Sequence, residues 1–84
     1  MKWALVIASR AKRQCRRLPV TDRSAIDATF SEMCEDPFSG DMKSLRGSDG
    51  LRRRVRAWRI LYKLDEEKKV IVVTGIKRRG SNTY

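Results

Sequence analysis

The chain contains no histidine and only two cysteines, Cys15 and Cys34. Two cysteines without a motif spacing supply no tetrahedral zinc set, so neither a structural metal nor another cofactor is expected. Each cysteine falls at an apolar position of a different candidate helix. Buried free thiols are the expectation, with a disulfide as the alternative. Long apolar runs are missing as well. No segment is long enough to span a bilayer. The apolar start, MKWALVIAS, meets Arg10 too soon to be the core of a signal peptide. A cytoplasmic chain that does not enter a membrane is therefore expected. Acidic residues are scarce: 10 Asp+Glu stand against 20 Lys+Arg, a formal net charge of +10. Such a deficit favours polyanionic partners, whether nucleic acid, an anionic surface or an acidic protein. Internal repeats and low-complexity segments are absent. The 84 residues bound the chain to one small domain, which buries only about 60–65% of its unfolded surface. A core that thin leaves little room for a deep cavity, so a site is expected as an open groove.

What the chain has in excess is arginine, unevenly placed. Basic residues gather at positions 10–17, 52–59 and 77–79, whereas most acids lie at 22–49 and 65–67. Residues 51–62 read LRRRVRAWRILY. Side chains alternate faces along a strand, so a strand here aims Arg52, Arg54 and Arg56 from one side. Arg59 follows inside an aromatic and aliphatic run. Three guanidinium groups on one face repel one another, an arrangement that serves an anionic ligand such as phosphate and not stability. Plain solvated charge, or pairing with the acids of residues 22–35, is the alternative. A second basic group, Lys77-Arg78-Arg79, follows an apolar strand and precedes Tyr84.

Residues 2–8 are rich in Trp, Val, Ile and Leu and read as a first strand. Ser9 is placed to cap a short helix over residues 10–17, with Ala11, Cys15 and Leu18 on one face. Pro19 ends it. Thr21 or Asp22 is placed to cap a second helix running to about residue 35. Its stripe is Ile26, Thr29, Phe30, Met33 and Cys34. Two helices, each apolar on one side and joined at a proline, are expected to form an antiparallel pair covering a sheet. Residues 36–41, DPFSGD, form a turn-rich connection that continues to residue 49, with Leu45 as an anchor. Three strands follow at 51–56, 58–64 and 69–75; the first two meet around Ala57 and the last two across the polar turn 65–68. Val70, Ile71, Val72 and Val73 form an unbroken apolar run, as a central strand covered on both faces requires. Trp58, Ile60, Tyr62 and Leu64 are expected in sheet packing and not as a platform for bases. The fold class is α+β, β-α-α-β-β-β, one domain over residues 1–84 with a mostly antiparallel, curved sheet under a helical hairpin.

Four motifs in this order resemble the RelE/ParE toxin superfamily of type II toxin–antitoxin systems. They are A-K-R-Q-x-R-R-L-P at residues 11–19, D-P-F-S-G-D-x-K-x-L-R-G at 36–47, R-x-R-V-x-x-W-R-I-L-Y at 52–62 and I-K-R-R at 76–79. Each is weak alone; their order and spacing, over nearly the whole chain, make the signal specific. The superfamily holds ribosome-dependent ribonucleases that cut mRNA in the A site and, on the same fold, inhibitors of DNA gyrase. The resemblance to the ribonucleases implies five site positions. Arg52 and Arg54 match the two alternating basic residues, Arg59 the arginine of the aromatic strand, Arg78 the arginine after the last strand, and Tyr84 the terminal tyrosine. Departures are present. Arginine replaces the lysine frequent at the first two positions, Arg53 stands where an inward apolar residue is expected, and a slip of one residue exchanges Arg78 with Arg79.

The residue types suit metal-free cleavage by the 2′-OH. Arginines stay charged and grip phosphate oxygens in a fork, so Arg59 and Arg78 are expected to clamp the scissile phosphate. Arg52 and Arg54 are expected to hold the backbone, less readily to move protons. Nearby arginines favour the tyrosinate form, so Tyr84 is the candidate to orient or deprotonate the 2′-OH; a disordered terminus is the bland alternative. Arg56, Lys77 and Arg79 are candidate RNA contacts. Arg13, Arg16 and Arg17 are either a solvated helix face or a dock for ribosomal RNA. The implied partners are a RelB-like antitoxin that wraps the basic surface, the ribosome with its mRNA, and operator DNA through a toxin–antitoxin complex. A gyrase inhibitor and a basic nucleic-acid-binding module stand as alternatives.

Overall fold

The computed structural model describes residues 2–47 and 49–78. Its elements are β1 (Ala4–Ile7), α1 (Ser9–Arg16), α2 (Val20–Glu35), β2 (Met42–Ser44), β3 (Leu51–Val55), β4 (Trp58–Asp65) and β5 (Val70–Arg78). The five strands make one sheet in the order β1-β5-β4-β3-β2. β1 runs parallel to β5, and the other neighbours are antiparallel. The architecture is the expected α+β one with an added strand, β2, inside the stretch read as a connection. Met42-Lys43-Ser44 carries no strand pattern of its own; pairing of Met42 with Arg53, Lys43 with Arg52 and Ser44 with Leu51 imposes it.

The apolar run of β5 is central, between β1 and β4, but it is not covered on both faces as expected: Ile71 and Val73 are buried under the helices, whereas Val70 and Val72 on the other side are only half-buried. Helix α2 buries Ile26, Thr29, Phe30, Met33 and Cys34, the stripe its spacing marks. Ile26, Phe30 and Met33 pack with Ala11 and Leu18 against Val55, Ile60, Tyr62, Ile71, Val73 and Ile76, so both helices lie on one side of the sheet. Burying each large aliphatic side chain contributes roughly 1.5–3 kcal/mol. Cys34 is buried and Cys15 half-buried, and both thiols are free. Burial pushes both thiols above their ordinary pKa, with Asp27 adding to the effect at Cys15 and Glu35 at Cys34.

The helix starts differ from expectation. Ala8, not Ser9, precedes α1, and Pro19, not Thr21 or Asp22, precedes α2; neither start has a side-chain cap. Proline fixes the extended entry backbone without needing a hydrogen bond of its own. Asp22 instead lies in the first turn of α2, where the helix dipole favours an acid.

One irregularity governs the sheet. Leu61 pairs with Gly75 and Tyr62 with Val73, so Thr74 is an extra residue in β5. The bulge is tied down from both sides. Thr74 Oγ1 donates to the Leu61 carbonyl at 3.3 Å, and Ile76 N donates to Gln14 Oε1 on α1 at 2.6 Å.

Candidate nucleic-acid interface

Residues directly opposite in a sheet share a face. Val55, Ile60, Tyr62, Ile76, Val73 and Ile71 point to the helices. The alternating positions therefore point away from them: Arg52 and Arg54 on β3, Arg59 and Lys63 on β4, and Lys77 on β5. Arg54 stands opposite Arg59, and Arg59 stands opposite Lys77. Three cations thus form a row across three adjacent strands, with Arg52 one pair further along opposite Leu61. Arg52, Arg54, Arg59 and Lys77 are half-buried. Like charges set directly opposite destabilise a sheet, and a bound anion would stabilise such a row. Two nitrogens of this face, Arg52 Nη1 and Arg54 Nε, are buried without a protein acceptor. A buried donor left unmade is unfavourable, and phosphate oxygens are acceptors of the right charge.

Acids stand at the border of the row. Asp41 Oδ2 lies 4.0 Å from Arg54 Nη1, and Asp49 Oδ1 lies 3.5 Å from Lys63 Nζ. All four side chains are at least a third exposed, so these pairs add little stability.

Arg53 faces the other way and is 7% exposed. Its Nη2 meets Glu32 Oε1 of α2 at 3.2 Å, and its Nη1 donates to the Ser39 carbonyl at 3.1 Å. Alongside, Tyr62 Oη donates to the Pro37 carbonyl at 2.8 Å. Burial pushes the Tyr62 hydroxyl above its ordinary pKa, against the lowering pull of Arg53. Arg53 and Tyr62 together pin the 36–41 loop to the sheet.

Arg56 does not share the face of Arg52 and Arg54, contrary to expectation. Val55 pairs with Trp58, so Arg56 and Ala57 are the two residues of a hairpin turn. Such turns need a positive φ, and Arg56 has φ 55°. Its guanidinium turns to Asp22 of α2, with Nη1 3.7 Å from Oδ1. One of the helix-two acids thus takes an arginine, but from the turn and not from the open face.

Lys77 and Arg78 take opposite sides. With Ile71 and Val73 inward, plain alternation would carry Lys77 inward and Arg78 outward. The extra residue Thr74 inverts that phase, because a one-residue shift flips every side chain beyond it. Ile76 is buried in consequence, Lys77 joins the row beside Arg59, and Arg78 stands opposite Trp58. The Arg78 guanidinium lies 5.7 Å from the centroid of the Trp58 ring. The sheet therefore brings together Arg52, Arg54, Arg59 and Lys77 and sets Arg78 apart at the strand end. Arg79 and Tyr84 lie outside the described residues. Arg13, Arg16 and Arg17 are exposed on and just after α1, on the helical side of the sheet. Among the described residues no three His, Cys, Asp or Glu side chains gather as a metal site would require, and no helix is long and apolar enough to cross a membrane.

No protein-family model and no curated protein sequence matches the chain. Solved structures do. A chain of the toxin–antitoxin complex RelBE2 from Mycobacterium tuberculosis matches with TM-score 0.85 and 22% identity, over 94% of this chain and 100% of that one. The isolated RelE toxin of E. coli matches with TM-score 0.81 and 25% identity, over 96% and 88% of the two chains. A YoeB/ParE toxin from Agrobacterium tumefaciens matches with TM-score 0.78 and 17% identity, over 90% and 98%.

Proposed function

We propose, from the premise that this chain has the fold of the RelE/ParE toxin superfamily, that it is the toxin of a toxin–antitoxin pair and cleaves mRNA on the ribosome. The observation that carries the proposal is the row Arg54, Arg59, Lys77 across three strands. Stability argues against that row, and a phosphodiester argues for it.

In the proposed step the 2′-OH loses its proton and its oxygen attacks the adjacent phosphorus. The bond to the 5′ oxygen breaks, leaving a 2′,3′-cyclic phosphate on one fragment and a 5′-OH on the other. Arg59, at the centre of the row, bears the charge that develops on the phosphate oxygens. Arg54 and Arg52 hold the backbone on one side of it. Lys77 is its other cross-strand neighbour. An ammonium can release a proton where a guanidinium cannot, so Lys77 is the group suited to protonate the leaving 5′ oxygen. Tyr84 keeps the role that the resemblance implies, orienting or deprotonating the 2′-OH. Arg78 and Arg79 serve as further phosphate contacts at the strand end. The exposed Arg13, Arg16 and Arg17 carry a separate contact to structured RNA. Much of the rate then comes from the ribosome's positioning of the strand. The proposed partner in the cell is a RelB-like antitoxin that covers the cationic face.

Toeprinting on programmed ribosomes tests this. Wild-type protein is expected to cut the A-site codon, and Arg59→Ala to cut it on the order of 100–1,000 times more slowly, the usual effect of removing one transition-state donor. Intact mRNA with both proteins would overturn the nuclease assignment. Inhibition of gyrase supercoiling would then decide for a ParE-type inhibitor.

A further inference from the structure

We infer that Asp41 is a built-in competitor for the anion site: its carboxylate holds Arg54 until an RNA phosphate displaces it. This rests on the open face being the phosphate-binding face. The carboxylate lies 4.0 Å from Arg54 Nη1. The same residue's carbonyl accepts a hydrogen bond from Arg54 N at 2.9 Å. That backbone bond keeps Asp41 beside Arg54 whichever way its side chain turns.

The loop that carries Asp41 cannot drift. Arg53 holds the Ser39 carbonyl, Tyr62 holds the Pro37 carbonyl, and Asp36 Oδ1 accepts from Phe38 N at 2.9 Å. Gly40, at φ 71°, turns the chain directly over the Arg53 guanidinium. A carboxylate on so short a tether stays at high effective concentration next to its cation. The pair is nonetheless weak enough to exchange. Its side chains are 34% and 58% exposed, and the contact is at the outer limit of an ion pair. A phosphate can take two guanidinium nitrogens at once, and Arg54 Nε has no protein acceptor.

Three other acids that pair with basic residues lie elsewhere. Glu32 and Asp22 engage Arg53 and Arg56, off the open face. Asp49 engages Lys63, four residues along β4 from Arg59. Arg54 therefore joins a phosphate bound on this face by exchanging Asp41 for it.

Fluorescence anisotropy with a labelled, uncleavable 2′-O-methyl RNA decamer and the full chain tests the exchange. Asp41→Asn is expected to tighten binding about two- to five-fold, the range of an exposed ion pair. It is also expected to steepen the slope of log K against log salt by up to about 0.7, one further phosphate contact on a single strand. Asp41→Glu restores wild-type binding. Glu67→Gln, in the exposed turn before β5, measures the effect of one added net charge. Tightening by Asp41→Asn that equals Glu67→Gln, or that persists unchanged in an Arg54→Ala background, would overturn the inference. A wild-type protein that binds no RNA would overturn the phosphate assignment of the face and the inference together; RNA binding indifferent to Asp41→Asn would overturn the inference alone.

Discussion

Arg53 and Arg54 are joined by one peptide bond and point to opposite sides of the same sheet. Arg53 is enclosed: a carboxylate, a backbone carbonyl and the Gly40 backbone surround its guanidinium. Arg54 stands opposite Arg59 with one distant carboxylate for company. The first is a residue whose partners are all supplied by the chain. The second has one loosely held, exposed carboxylate and faces another arginine, so it stays open to a ligand from outside. Strand alternation alone separates the two roles, and the difference is a difference in who satisfies the charge.

The sharpest way to break this comparison is to remove each arginine and measure stability by denaturant unfolding. Arg53→Ala is expected to destabilise by about 2 kcal/mol, because the Ser39 carbonyl and Glu32 lose a charged donor. Arg54→Ala is expected to change stability by less than about 0.5 kcal/mol, or to raise it slightly as repulsion is relieved. Equal losses from both would erase the distinction between the faces.

A smaller effect tests the inner side from the loop. Gly40→Ala is expected to destabilise by about 1–2 kcal/mol through its left-handed backbone alone. The added Cβ would also meet the Arg53 guanidinium, so Arg53 must shift. In the Arg53→Ala background the loss should shrink toward the backbone contribution, and a double-mutant cycle measures how much.

The smallest effect comes from Tyr62. Tyr62→Phe removes the bond to the Pro37 carbonyl and is expected to destabilise by about 1 kcal/mol at neutral pH. Its pH dependence follows from burial. The folded pKa lies above the unfolded one, so the contribution of Tyr62 is full below about pH 10 and is lost as pH rises toward the folded value. Unfolding measured between pH 9 and 11 is expected to fall more gently in Tyr62→Phe than in wild type. Identical slopes would mean that the hydroxyl is not protected by the fold.

Much of the fold was legible because it is periodic. The α2 stripe from Ile26 to Cys34, the alternation of Arg52 with Arg54, and the apolar run of β5 all appear within short windows of sequence. The tight turn at Ala57 and the inward packing of Ile60 and Tyr62 were equally readable. β2 was not, because its three residues become a strand only through pairing with β3. Arg56 was assigned to the open face by extending an alternation one residue past the point where the hairpin turns. At the candidate site, Arg52, Arg54 and Arg59 could be grouped from sequence, but Lys77 was named only as an RNA contact. Its place beside Arg59 depends on a bulge, for which Gly75 was the one available signal.

By itself, then, the sequence determined the elements and their apolar faces, since helix and strand periods are properties of neighbouring residues. Only the tertiary structure decided phase and partnership. One extra residue at Thr74 chose Lys77 over Arg78 for the cationic row. Glu32, 21 positions away, and Ser39, 14 positions away, turned Arg53 from a surface charge into a buried tether. Pairings at that separation are selected by how the whole chain packs, because the free energy that fixes them is shared among elements that no single window contains.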